Sequence, residues 1–206
     1  MRELTCHCDQ TFSVDLPETV NLDERPEVID AIDDGSFLSC VCPSCNAQLN
    51  TDLRTEVLWP SKHARLLLIP EADRMLFFSR KLEIPEGTQV VIGYPELADR
   101  IAALKAGLDV TAVETLKYHL AEQAEQTNPG KSVRIYFESA NDSEALEFHI
   151  HGLRNDEVAV TKIPMKLYHS IRQSISNNPD DDVSKAVCNG SYISWQNILI
   201  EDNGND

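Results

Sequence analysis

The 206-residue sequence has no long hydrophobic run. Its uninterrupted apolar stretches, such as "LLLI" at 66–69, are far shorter than the roughly 20 residues that a transmembrane helix needs. The N-terminal stretch "MRELTCHCDQTFSVDL" also lacks the apolar core of a secretory signal peptide. The sequence therefore predicts a cytoplasmic protein that is not attached to a membrane.

Basic residues are also scarce. The chain has 18 Lys and Arg residues against 34 Asp and Glu residues, which gives a formal net charge of −16. Residues 1–60 contain twelve acidic residues and only three basic ones, Arg2, Arg25 and Arg54. Because nucleic acids and anionic membranes bind proteins through basic patches, this charge argues against both as partners. We expect instead a protein partner with complementary basic charge.

The hydrophobic pattern predicts an α+β fold. Residues 1–92 are rich in strand-like segments around one short helix, and we expect them to form a β-rich domain. In residues 93–206 two helical patterns come first, with Gly107 ending the first helix and Thr111 capping the second. Three strand-like segments and a further helical pattern follow, in "SVRIYFES", "ALEFHIHGL", "EVAVTKI" and "PMKLYHSIRQSISN". We expect a helix pair, a small antiparallel sheet and another helix there, in a part that could share one core with the first.

Five of the six cysteines fall into two short clusters. Cys6 and Cys8 are separated by one residue, and Cys40, Cys42 and Cys45 lie in the second cluster. In a reducing compartment, clustered cysteines are metal ligands more often than disulfides. Two intervening residues let the sulfurs of Cys42 and Cys45 turn toward one metal ion. Residues two apart in an extended chain, such as Cys6 and Cys8, point to the same side.

These cysteines predict a zinc site formed by Cys6, Cys8, Cys42 and Cys45. Cys40 could replace one of the four, and His7 offers a further ligand. A tetrahedron of four sulfur atoms also suits iron, so the alternative metal stays open. A structural zinc ion ties together segments that are distant in sequence. We therefore expect a structural Zn(II) ion and a zinc-ribbon-like fold in residues 1–92.

The sequence resembles the CpXC-domain family of bacterial proteins. The resemblance rests on the two cysteine clusters and on the segments "CPSC", "VVIGYPELADRI", "VETLKYHL" and "SYISWQNIL", and it runs from about residue 4 to 200. Cys42, Pro43 and Cys45 match the second Cys-Pro-x-Cys motif of the family. Cys8 matches the end of the first motif, and Cys6 fits it with one residue missing from the turn. The resemblance implies a zinc site and no particular activity.

Other chemically suggestive residues have simpler interpretations. His149 and His151 share one face of a predicted strand and are expected on a polar sheet face. The segment "GKS" at 130–132 lacks the strand and the earlier glycine of a phosphate-binding loop and is expected to be a turn. Cys188 is expected in a core. Asp180, Asp181 and Asp182 are expected in a solvated loop.

The sequence thus favours a zinc-binding protein that acts as a protein-binding or scaffold module rather than as an enzyme. It contains no "GxSxG" elbow, no "HExxH" motif and no dinucleotide fingerprint. The alternative is a metalloenzyme, whose zinc would have three protein ligands and a water molecule. A thiol-based redox sensor, in which Cys40 forms a disulfide and the metal is released, belongs to the same alternative.

Overall fold

A computed structural model describes residues 1–141, 144–178 and 181–198. The chain forms two compact units, Met1–Ala98 and Asp99–Asp206. Helices and strands are both abundant, and the predicted α+β class is confirmed. The predicted division into domains at residue 92 stays a prediction. Within the described ranges, no helix has both the length and the apolar character that crossing a membrane requires.

The first unit is built from short strands and two short helices. Its elements are β1 (Arg2–Thr5), β2 (Thr11–Val14), β3 (Thr19–Asn21), α1 (Glu27–Asp33), β4 (Ser39–Val41), β5 (Gln48–Asn50), β6 (Thr55–Trp59), β7 (Ala64–Ile69), α2 (Arg74–Phe78) and β8 (Gln89–Ile92), with 3₁₀ turns at Pro60–Lys62 and Glu71–Asp73. The next helix, α3 (Tyr94–Lys105), begins in this unit and continues into the second.

Strands β3, β6, β7 and β8 lie side by side in the order β8-β7-β6-β3. The central pair β6–β7 is antiparallel, and the pairs β3–β6 and β7–β8 are parallel. Many of their apolar side chains, including Val57, Leu68 and Val90, are almost completely buried. Hairpins β1–β2 and β4–β5 are separate two-stranded sheets. Because each hairpin has few apolar side chains to bury, packing alone stabilises them weakly.

The second unit contains a long helix, an antiparallel sheet and further short elements. These are α4 (Val110–Thr127), β9 (Arg134–Asn141), β10 (Ala145–Arg154), β11 (Glu157–Pro164), α5 (Met165–Asn177), α6 (Asp182–Val187), β12 (Cys188–Asn189) and β13 (Tyr192–Ile193). The helix pair, the three-stranded sheet and the later helix were all indicated by the hydrophobic pattern. Asp109 caps α4 by accepting a hydrogen bond from the N–H of Ala112 at 2.9 Å. The predicted cap, Thr111, therefore lies too late in the chain, whereas Gly107, with φ +69°, ends α3 as predicted.

The sheet of the second unit has the strand order β11-β10-β9. Alternate residues of each strand point to one face, which packs against α4 and α5. Phe137, Phe148, Leu116 and Tyr168 belong to the resulting buried cluster. The other face carries the remaining side chains of the three strands, and among them His149 lies opposite Val160 of β11.

Among the described residues of the second unit, four charged side chains are buried, namely Asp99, Arg100, Glu114 and Lys117. The Nζ atom of Lys117 lies 2.5 Å from a carboxylate oxygen of Asp99 and 2.7 Å from one of Glu114. The guanidinium of Arg100 lies 3.4 Å from Glu114 and donates to the carbonyl of Ile193 at 2.8 Å. Two positive and two negative groups thus balance each other in the protein interior. An unpaired charge at such a buried position would be costly.

Two local predictions in this unit are wrong. The expected solvated loop contains helix α6, which Asp181 caps by accepting a hydrogen bond from the N–H of Ser184; Asp180 lies outside the described residues. Cys188 is exposed rather than in a core, and its sulfur lies 3.4 Å from the hydroxyl of Thr111.

Candidate metal centre

The first cysteine pair lies in the turn of hairpin β1–β2. Thr5 and Thr11 are the last paired residues of the two strands, so the turn comprises residues 6–10. The N–H of Cys6 donates to the carbonyl of Gln10 at 2.9 Å, and the N–H of Asp9 donates to the carbonyl of Cys6 at 2.9 Å. Asp9 has φ +62°, a conformation that aspartate tolerates better than most residues. This tight turn brings both thiols to one side.

The second pair lies in the turn of hairpin β4–β5. Strand pairing ends at Val41 and Gln48, so this turn comprises residues 42–47. The N–H of Cys42 donates to the carbonyl of Ala47 at 2.9 Å, and the N–H of Asn46 donates to the carbonyl of Cys42 at 3.0 Å. Asn46 has φ +58°, again at the residue that directly follows the second cysteine.

The two turns are alike except for one residue. In each turn the first cysteine closes the loop, and the residue after the second cysteine adopts the left-handed conformation. The first turn has one residue between its cysteines, and the second has two. The short spacing at Cys6 and Cys8 is therefore a shortened version of the same turn. The missing residue that the family resemblance implies lies between the two cysteines.

The turns bring four sulfur atoms together. The Sγ atoms of Cys6, Cys8, Cys42 and Cys45 all lie within 4.8 Å of one another. The Cys6–Cys45 sulfurs are 3.6 Å apart, and the Cys8–Cys42 sulfurs are 3.8 Å apart. In a tetrahedral site with metal–sulfur bonds of about 2.3 Å, the sulfurs are about 3.8 Å apart. The four thiols therefore fit one tetrahedral ion, and this group could hold a metal ion.

The four thiols differ in burial and in acidity. Cys6 and Cys42 are buried, whereas Cys8 and Cys45 are exposed. Backbone N–H groups of Cys45 and Ser44 donate to the Cys42 sulfur and lower the pKa of this thiol to about 6. Cys6 also accepts a backbone hydrogen bond, from Cys8, but burial and the neighbouring thiols outweigh it and raise the pKa of Cys6 to about 12. A thiolate at Cys42 near neutral pH favours the binding of a cation.

The two alternative ligands lie elsewhere. Cys40 is in the middle of β4, where it pairs with Leu49 of β5 and is half-buried. His7 is exposed between the first two cysteines. Neither belongs to the group of four sulfurs, which is the one group of three or more potential ligands found in the described ranges of the chain. The replacement of a ligand by Cys40 or His7 thus has no support in the geometry.

The histidines of β10 do not form a metal site with neighbouring carboxylates in the described part of the chain. Nδ1 of His149 lies 3.5 Å from Glu138, and Nε2 lies 3.5 Å from Glu147. The two carboxylates therefore lie at opposite sides of the ring and cannot share one ion with it. The ring of His151 packs edge-on against Tyr136, with centroids 5.7 Å apart. This is the polar sheet face that the sequence predicts.

Comparison with known proteins agrees with the cysteine pattern. The model of the CpXC protein family matches residues 4–117, which include both cysteine turns. An uncharacterized protein of Treponema pallidum (strain Nichols) is 30% identical over 220 aligned residues, which cover 98% of this chain and 100% of the relative. No solved structure matches the chain.

Proposed function

The chain belongs to the CpXC protein family, and on this basis we propose that it is a cytoplasmic zinc-binding protein whose Zn(II) ion is structural. The ligands are Cys6, Cys8, Cys42 and Cys45. The observation that carries the proposal is the set of four sulfurs within 4.8 Å of one another, supplied by two turns of the same design.

The number of thiols supports a structural role. Four sulfurs complete a zinc tetrahedron, whereas a catalytic zinc ion has three protein ligands and keeps one position for water. When all four cysteines bind, no coordination position of the zinc ion is left for a substrate. The set of four sulfurs is complete without Cys40, which lies half-buried on β4. The geometry therefore favours the structural proposal over the metalloenzyme and the redox sensor.

The energetics support the same role. Hairpins β1–β2 and β4–β5 have four and three residues per strand, too little to be stable alone. A structural zinc ion contributes on the order of 10 kcal/mol to the folding of small domains. One ion at the four sulfurs would therefore hold both hairpins in place.

We further propose that the zinc-stabilised unit is a protein-binding or scaffold module. The acidic residues 1–60 carry three arginines against twelve carboxylates, so a basic protein surface is the complementary partner and nucleic acid is not. The partner can be identified by cross-linking in cells. Its purified form should bind the chain and dissociate as the salt concentration is raised, because salt screens charge pairs at a surface. A partner of acidic surface with salt-independent binding, or tight binding of DNA or RNA, would contradict this part of the proposal.

The metal is tested by elemental analysis of untagged full-length protein prepared without chelator. The wild type should contain one zinc ion per chain. The Cys42→Ser variant should lose the metal and become sensitive to proteolysis in residues 1–60. The matched Cys40→Ser variant should keep the metal and should stay resistant to proteolysis in residues 1–60. Iron in place of zinc, zinc retained in Cys42→Ser, or zinc lost in Cys40→Ser would overturn the proposed site.

A further inference from the structure

The three-stranded sheet of the second unit has two edges that differ in protection. At the β9 edge, the buried carboxylate of Asp99 accepts a hydrogen bond from the backbone N–H of Phe137. At the β11 edge, no element of the described residues other than β10 is hydrogen-bonded to the backbone of residues 157–163. Unpaired backbone groups along an edge strand are a template for pairing with another strand. The β11 edge is therefore open to a further strand.

Strand β11 has few of the features that usually protect an edge. Its one lysine, Lys162, lies near the end of the strand and pairs with Glu147 of β10 at 3.2 Å. Proline occurs only at its last position, Pro164. Its pairing with β10 is regular from Ala145 to His151, and the bulge follows only after that residue. Two valines on the face away from the helices, Val158 and Val160, are 45% and 55% exposed. A regular edge strand with two exposed valines favours association.

The sequence of β11 is complementary to itself. If two copies pair antiparallel with Ala159 opposite Ala159, Val158 of one copy lies opposite Val160 of the other on the same sheet face. The arrangement is two-fold symmetric, so this valine pair occurs twice. The small Ala159 side chains at the symmetry axis allow the close approach that directly opposed residues require.

We propose that this edge binds a second copy of the same chain, with β11 pairing antiparallel about Ala159 to form a continuous six-stranded sheet. This interaction involves only the second unit and is independent of the cysteine turns. The two-fold register identifies the partner, because it places the two exposed valines of one copy opposite those of the other.

Sedimentation velocity of the full-length protein tests the proposal. A monomer has a mass of 23.1 kDa, and at high protein concentration the wild type should sediment with twice that mass. The Val160→Lys variant should sediment as a monomer at the same concentration, with an unchanged melting temperature. Leu167→Lys alters an exposed leucine outside β11 and should leave the dimer intact. A monomeric wild type, or a Val160→Lys variant that dimerises like the wild type, would overturn the proposal.

The register is tested by mixing Val158→Cys and Val160→Cys proteins under mild oxidation. In the mixture, mass spectrometry of proteolytic fragments should find a disulfide between the thiol introduced at position 158 of one copy and the thiol introduced at position 160 of the other. When either variant is oxidised alone, few disulfides should form between the new thiols. Efficient cross-linking of Val160→Cys to itself would overturn the proposed register. The native cysteines are distinguished by their own fragments.

Discussion

Cys6 and Cys42 hold equivalent places in two turns of the same design. Each donates its backbone N–H to the carbonyl of the residue that precedes the returning strand, at 2.9 Å in both turns. Asp9 and Asn46, which follow the second cysteine of each turn, have φ values of +62° and +58°. The difference between the turns is confined to the residues between the cysteines. It follows that the length of that segment can change without altering how the turn closes.

The first prediction concerns this length. Insertion of one proline between Cys6 and His7 lengthens the first turn to Cys-Pro-x-Cys, the spacing of Cys42 and Cys45. Because the closing hydrogen bond and the left-handed residue are shared by both turns, we expect the variant to fold and to keep one metal ion per chain. Elemental analysis and limited proteolysis measure the two outcomes.

The matched control inserts the same residue between Cys8 and Asp9. This position separates the second cysteine from the left-handed residue, a spacing that the two turns have in common. We expect the control to lose the metal, and with it the roughly 10 kcal/mol that a structural zinc ion contributes. Equal metal content in the two insertion variants would show that turn closure does not position the sulfurs.

Local sequence patterns predicted much of this molecule because the determining interactions are local. The three- and four-residue spacing of Leu97, Ile101 and Leu104, which predicts α3, follows from the geometry of a single helix. The cysteine turns are equally local, since a few intervening residues decide whether two sulfurs face one point. The meeting of the two turns is not local, and it was predicted only because zinc needs four ligands.

The features that the sequence did not predict depend on long-range contacts. The sequence analysis did not identify Lys117 of α4 as buried, because its burial depends on ion pairs with two carboxylates, one of them on another helix. On α5, helical spacing alone favours Leu167 as a core residue, yet Leu167 is 46% exposed and the neighbouring Tyr168 is buried. The hydroxyl oxygen of Tyr168 accepts a hydrogen bond from the distant N–H of Asp109 at 2.8 Å. Such partners are separated by many residues, and their pairing has no signal in a local pattern.

The second prediction tests the buried charges. Burial alone would lower the pKa of Lys117, but the carboxylates of Asp99 and Glu114 more than offset this and raise it, so the side chain is charged. Lys117→Met would leave two buried carboxylates without their shared cation. Breaking a buried ion pair in this way costs about 3–5 kcal/mol. Urea unfolding should measure a loss of stability of that size.

An exposed contact between a histidine and a carboxylate on the same helix provides the control for this variant. The ring of His119 lies 3.2 Å from Glu122, and both side chains are about half exposed. Exposed pairs contribute less than about 1 kcal/mol, so His119→Ala should change the unfolding free energy by no more than that. Similar effects of the two variants would mean that the buried network does not stabilise the second unit.

The third prediction concerns the acidity of His151. Burial, the guanidinium of Arg134 and the ring of His149 lower the pKa of His151 below its ordinary value of 6.5. Since protonation is disfavoured in the folded state, the neutral ring stabilises the fold above pH 6.5. This contribution is lost as the pH falls from 6.5 through the lower pKa of the folded state.

An NMR titration of the His151 ring measures this pKa directly. Arg134→Gln should raise the pKa only part of the way toward 6.5, because burial is the largest cause and is unchanged. Arg154→Gln removes an arginine from the same strand as His151, one that pairs with Glu157 at 3.3 Å, and it should leave the titration unchanged. A pKa of His151 at or above 6.5 in the wild type would contradict the prediction.

The fourth prediction concerns Gly152, the glycine at the bulge of β10. It has φ +93°, and a Cβ atom at this position would overlap the backbone carbonyl oxygen of Ser132. A backbone atom cannot move aside as a flexible side chain could, so Gly152→Ala combines a strained dihedral with overpacking and should cost at least about 3 kcal/mol. Gly130→Ala separates the two causes, because Gly130 has φ +76° but no neighbouring atom within 4 Å of the place that a Cβ atom would take. The Gly130→Ala variant should lose only about 1–2 kcal/mol of unfolding free energy, the cost of a left-handed residue. Urea unfolding measures both variants. Equal losses would show that the close approach to Ser132 does not contribute to the cost.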